Sequence, residues 1–584
     1  MTIKPGVFTL RHLLASALSA AVILSGCTSP LDQDDEIALR ETILNAHRAR
    51  MESVITAPVV QVDREESDVT AQMTEERLEE LDDTSGIDAY ANDPLEVGPD
   101  LTGELNGPRV RMTLQQAVES AVRNNIDLRV AKLGPGISRT QRVQAEAVFD
   151  AVLFADLNYT RTATPGPLGP GNGVGRDVFG DVTNGQVGIR KPMLSGGTIQ
   201  VATSASYTED SFSGVQSFFD HDISLAVTQP LLRGFGRDIS TTQIELARNA
   251  ESVASETLKQ NLIALASSVE QAYWNVYVAE NQLLIQTRLL NRTVAERDRL
   301  LKRQQFDVSP VRITQANSFV ELRRADLIRA RQIVRQTSDA LKRLINDPEL
   351  PLAGEALVLS TEIPPEDPIR YSLLDAVAVA MRNRPELVIA LYDIKDASLR
   401  QRLADNLRLP LLDLTAGASL NGVDNDDLGS AIGDTFSSDF FIDWNVGATF
   451  EQPIGNRSAE SLMEQRRLER RVAAIAYERQ AQDVIIDVKN AMRNVINAYE
   501  LIGSTRAARR ATADNLRAIE EQEEAGVALT PEFLLDQKLT TQERLANTEI
   551  QEIQARADYA VAITQLFEST GTLLLRNNIE IATE

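Results

Sequence analysis

Side chains equipped for chemistry are scarce in this chain. Among 584 residues there is one cysteine, Cys27, and there are three histidines, His12, His47 and His221. A single cysteine excludes an internal disulfide framework and any multi-cysteine zinc or iron–sulfur site. The histidines lie far apart without ligand spacing, and no histidine–carboxylate or serine–histidine set is recognisable. No catalytic residue, metal site or cofactor is expected, and the chain does not read as an enzyme. The 59 Lys and Arg against 84 Asp and Glu give a net charge of −25. That balance argues against a nucleic-acid partner, which needs clustered basic residues to displace counterions. Covalent chemistry is left to Cys27.

Cys27 stands where an export leader ends. Lys4 and Arg11 form a positive n-region, and Leu13 to Leu24 is a 12-residue apolar run, too short to span a bilayer as a helix. Leu24-Ser25-Gly26-Cys27 resembles a lipobox, so residues 1–26 are expected to be a lipoprotein signal peptide and Cys27 the lipid-bearing N-terminus. Thr28 follows, rather than the Asp that typically retains lipoproteins in the inner membrane, which favours the outer membrane. Residues 28–110 hold 21 acids against 6 bases. Such density with few aromatics predicts a lipid-anchored, largely disordered tether over 27–110, with a helix possible at 72–81. No later stretch offers 18 consecutive apolar residues, so any membrane crossing must use strands closed into a barrel.

The elements that would build such a barrel are written twice. Thr113 to Leu128 matches Ser372 to Leu387 at an offset of 259, and Gln229-Pro230-Leu231 matches Gln452-Pro453-Ile454 at 223. The first copy therefore carries extra chain, mostly between 160 and 225. Two strand-like stretches there, 184–191 and 197–207, are expected either to join the barrel strands as a tall hairpin or to cap them. Each copy has short helices, alternating strands and a long helical hairpin. From Arg237 to Ala353 there is no glycine, and Val276, Leu283 and Leu290 recur at sevens. A helix over 238–307 would be about 105 Å long, which demands an extended coiled-coil-like assembly. Apolar–polar alternation marks strands, for example Leu412, Leu414, Ala416, Ala418 and Leu420 against Asp413, Thr415, Gly417, Ser419 and Asn421. The same period-2 signature fits a transmembrane barrel strand or a half-buried strand of a soluble sandwich.

The duplicated order, the TLQQAVESAVRNN and SLLDAVAVAMRNRPEL openings, the Gln-Pro-Leu-Leu-Arg-Gly run at 229–234, Ala272-Tyr273-Trp274 and Ala555-Arg-Ala-Asp-Tyr559 together resemble the TolC family of outer-membrane efflux proteins. The resemblance covers about 111–575. It implies an α+β membrane protein whose duplicated helix–strand–strand–helix repeat gives a trimeric transmembrane β-barrel, four strands per chain, continuous with a long periplasmic α-helical barrel. The first repeat is placed at 111–350, with strands about 151–229 and a hairpin about 238–346. A linker at 351–371 leads to the second repeat at 372–575, with strands about 410–452 and a hairpin about 457–570. A tail occupies 576–584. The implied role is the exit duct of a tripartite efflux or type I secretion system. Its implied partners are two further copies of the chain, outer-membrane lipid, a periplasmic adaptor (membrane-fusion) protein and an inner-membrane RND or ABC transporter. Glu532 and Asp536 match the family's periplasmic gate, and Val308, Pro310, Val527 and Pro531 its adaptor-docking tips. A structural coiled-coil envelope lipoprotein without transport is the alternative.

Overall fold

The computed structural model describes residues 60–61, 67–90, 93–103, 107–164, 178–210, 217–304, 308–368, 370–437, 441–525 and 531–579. The duplication is visible element by element. Helix α1 (Glu75–Ser85) and strand β2 (Arg109–Met112) precede helix α2 (Leu114–Asn124). The Thr113 side chain caps α2 by accepting from Gln116 N at 3.2 Å, and Gln116 returns the bond to Thr113 N, closing a capping box. After a six-residue turn of helix at Ile126–Ala131, helix α3 (Leu133–Glu146) leads into strand β3 (Val152–Thr164). Strands β4 (Val178–Pro192), β5 (Thr198–Asp210) and β6 (Phe218–Pro230) follow. Two helices complete the copy, α4 (Thr242–Lys302) and α5 (Pro310–Ile345).

In the second copy Ser372 caps helix α6 (Leu373–Asn383), and helix α7 (Pro385–Asn406) leads to strand β9 (Leu411–Asp424). Helix α8 (Leu428–Thr435), strand β10 (Phe441–Glu451) and helices α9 (Arg457–Glu524) and α10 (Pro531–Ser569) follow. α2 and α6 share their bounds at the 259 offset, and β3 and β9 their starts; β6 and β10 start in step at 223. Strands β4 and β5 have no counterpart in the second copy.

The 61 residues of α4 and 68 of α9 make helices of about 92 and 102 Å. α9 passes through Gly503 unbroken. Pro310 and Pro531 open the return helices, where a missing N–H costs nothing. The heptad residues Val276 and Leu283 are fully buried, and Ala279 lies between them in the seam. Tyr273 fastens this seam to the layer beside it: its hydroxyl donates to Met112 O at 3.2 Å and accepts from Thr361 N at 3.1 Å and Glu362 N at 3.2 Å.

Two expectations are corrected here. Residues 351–371 are more than a linker, because strand β7 (Leu357–Ser360) pairs in parallel with β2 and is buried along its length. Strand β8 (Arg370–Tyr371) pairs with β1 (Val60–Gln61). The described part of the acidic segment is likewise no free tether. Asp82 binds both Arg509 and Arg510, Glu80 binds Arg517 at 2.6 Å, and Asp93 binds Arg288 at 2.8 Å. Leu81, Tyr90, Leu95 and Val97 are buried against the long helices. The acids are opposed by arginines distant in sequence, so local composition misjudges them.

Candidate functional site

The strands form one antiparallel sheet of order β10-β9-β6-β5-β4-β3, so the first copy contributes four strands and the chain six, in place of the four expected. The register carries a single apolar row across all six: Leu153, Ile189, Val201, Leu225, Ala418 and Trp444. Leu157, Tyr159, Val187, Leu414, Ile442, Val446 and Phe450 share that face, and all are exposed, Leu157 by 82% and Trp444 by 76%. The opposite face is polar. Asp156, Gln186, Ser204, Asp222 and Asn421 lie in a row, and Asn421 Nδ2 donates to Asp443 Oδ2 at 2.6 Å. Large contiguous apolar surface on a soluble monomer is rare, and a face of this kind suits lipid. Among the described residues both outer strands, β3 and β10, pair on one side only and leave an edge open. Towards one end of the apolar face α8 lies across His221. The His221 ring is held by Thr203 Oγ1 at 2.9 Å and Thr435 Oγ1 at 2.8 Å. Gly422 permits this seat, since a Cβ there would fall 2.3 Å from Ala431 O.

At the far ends of the hairpins, Leu300, Val308, Ile313, Ala316, Leu535 and Leu539 form a small core joining the two copies. Beside it the buried Lys538 ammonium lies 3.2 Å from Glu296 and 2.8 Å from Glu523. Burial opposes that charge, but the two carboxylates outweigh it and hold Lys538 above the usual lysine range. Arg323 donates to Thr293 Oγ1 and to Leu539 O, and burial lowers its guanidinium to about 10. Further along, Glu552 is 2% exposed and receives Arg509 at 2.6 Å and Arg506 and Arg556 at 2.9 Å. Neighbouring Glu549 has weaker support: burial pushes it up to about 7, although Tyr90 and nearby arginines partly offset the cost.

Residues 377–572 match the protein family described as outer membrane efflux protein. The match lies within the second copy of the repeat, and there the chain is similar to this family. The fold is similar to solved structures over most of the chain. A membrane protein from Pseudomonas aeruginosa is 18% identical, with 78% of this chain and 93% of that one covered at a TM-score of 0.57. CusC, whose structures concern folding and transmembrane channel formation, is 17% identical over 82% and 96% at 0.57. The MtrE outer membrane channel of Neisseria gonorrhoeae, in its open state, is 18% identical over 79% and 89% at 0.54. No curated protein matches the chain by sequence. Among the described residues no helix is long and apolar enough to cross a membrane.

Of the sequence-derived site residues, the side chains of Asp536, Val308 and Pro310 lie among the described residues. Asp536 is exposed and accepts from Gln315 Nε2 of the other hairpin at 2.8 Å. Glu532 lies in the first turn of α10, and its side chain is outside the described residues, as are Val527 and Cys27. Pro310 is exposed and Pro531 starts its helix, but Val308 points into the tip core and offers no side chain for docking. Lys538, Arg323 and Glu552 carry the polar links here. Nothing in the sequence singled them out, because their partners come from other helices.

Proposed function

We propose that the protein is the outer-membrane exit duct of a tripartite efflux or type I secretion system. The observation that carries this reading is the exposed apolar row across six strands backed by a polar face, on a sheet with two free edges. In hydrocarbon, unpaired edges are too costly to persist, so β10 of one copy pairs with β3 of the next until the ring closes. Three copies close the wall, with apolar faces to lipid and polar faces to water. The paired long hairpins continue as a helical barrel through the periplasm. In this division residues 1–26 are a signal peptide, Cys27 carries lipid, 111–350 and 372–575 are the two repeats, and 576–584 is a tail. The hairpin tips around Pro310, Val527 and Pro531 meet the periplasmic adaptor, and an RND or ABC pump in the inner membrane supplies the cargo.

Planar-bilayer recording of the purified full-length protein tests the duct: stable channels are expected. Silence from correctly folded oligomers would leave a coiled-coil envelope spacer as the better account. Glu532 and Asp536 are assigned to a ring at the periplasmic mouth that binds cations. Replacing both with Ala is expected to relieve block by divalent cations. Unchanged conductance and block would remove both from the gate.

A further inference from the structure

Strands β4 and β5 have no partner in the duplication, yet they sit in the middle of the sheet. β4 pairs with β3 on one side and β5 on the other, thirteen residue pairs each, and β5 continues into β6. At 15 and 13 residues, both exceed the roughly 9–11 that a tilted transmembrane strand needs. Their side chains keep the alternation of the wall: Val187 and Val201 are exposed on the apolar face, and Gln186 and Ser204 lie on the polar one. The turn between them is pinned at the helical end of the sheet. Gly236 N donates to Ser195 O at 3.0 Å and Gln229 Nε2 to the same oxygen at 3.1 Å, while Gly196 turns at a φ of 90°. A plug or a hairpin standing above the membrane would have neither the two-sided pairing nor this anchor.

We infer that the inserted hairpin is part of the membrane wall, so that a trimer closes an eighteen-stranded barrel whose lumen admits bulkier hydrophilic cargo than a four-strand-per-chain wall would. The inference rests on the trimeric duct proposed above. Strands about 4.8 Å apart and tilted by about 40° put the backbone of eighteen strands on the order of 18 Å from the axis, against on the order of 12 Å for twelve. The cross-section roughly doubles by that scaling, and barrels of this strand number leave an aqueous channel.

Spin labels on single cysteines test it in the full-length protein in lipid vesicles, using Val187→Cys, Val201→Cys and Gln186→Cys, with Leu157→Cys on β3 as reference. The unsubstituted chain, whose only cysteine is Cys27, supplies the background. Labels at 187 and 201 are expected to match the reference in colliding with oxygen several-fold more than with a water-soluble nickel chelate, and the label at 186 to show the reverse. Water-like collisions at 187 and 201, with the reference still in lipid, would overturn the widened wall and leave the duct standing. Water-like collisions at the reference itself would overturn the membrane wall and this inference with it. Native mass of the extracted protein completes the count: three copies support eighteen strands, and two copies would reduce the wall to twelve and overturn it.

Discussion

Lys538 looks like an ordinary helical lysine in sequence, and its importance is purely positional. Its two carboxylate partners lie 242 and 15 residues away, so no local pattern announces them. Glu532 and Asp536 were legible as acids one helical turn apart, but only Asp536 has a described side chain, and it faces Gln315. Removing the ammonium leaves buried Glu296 with the longer Arg299 contact at 3.6 Å, and breaking one side of a buried pair typically costs on the order of 3 kcal/mol. Lys538→Met is therefore expected to lower the thermal midpoint of the folded protein, and adding Glu296→Gln to restore part of the loss. A double variant no more stable than Lys538→Met would show that the pair is not coupled. Glu549 gives a signature that can be read from pH. Its folded-state pKa, about 7, is raised above the ordinary value near 4.3. Its stabilising contribution is thus full below the ordinary value and is lost as pH rises through about 7. Melting across pH 5 to 8 is expected to fall more steeply for the natural protein than for Glu549→Gln. Parallel curves would remove Glu549 as the source.

At the scale of elements, most of the framework could be read from the repeat. Helices α2 and α6 and strands β3 and β9 lie where the 259 offset puts them, because capping residues and alternation are local signals. The inserted strands β4 and β5 were legible as strands too, but their place between β3 and β6 was not, since pairing order is a long-range property. The acidic segment failed differently. Composition predicts solvation when no partner is in view, yet α1 lies on arginines of α9, more than 400 positions later in sequence. Asp82 bridges Arg509 and Arg510, so Asp82→Ala is expected to loosen α1 specifically. Hydrogen exchange should quicken several-fold across residues 75–85 while β3–β6 stay unchanged. Equal protection in both proteins would mean that buried Leu81 holds the helix without the charges.

For the whole molecule the question is which face of the sheet meets water. Residues 28–110 carry much of the net charge of −25, and in their described part Glu80, Asp82, Asp93 and Glu96 pair with arginines of the long helices. The acids on the sheet's polar face are a separate set. Asp156, Asp222 and Asp443 stand on that face, away from the apolar row. In a ring of three copies they would line the lumen and draw cations into it, as rings of carboxylates do in cation channels. Replacing all three with Asn keeps size and hydrogen bonding while removing the charge. The triple variant is expected to form channels of similar conductance whose reversal potential in a salt gradient moves towards zero as cation preference weakens. An unchanged reversal potential would place selectivity elsewhere, in Asp220 and Asp413 on the same face, in the helical barrel or in its acidic tips. Loss of insertion would instead indicate that these side chains hold the strands together, as the Asn421–Asp443 bond already does across β9 and β10.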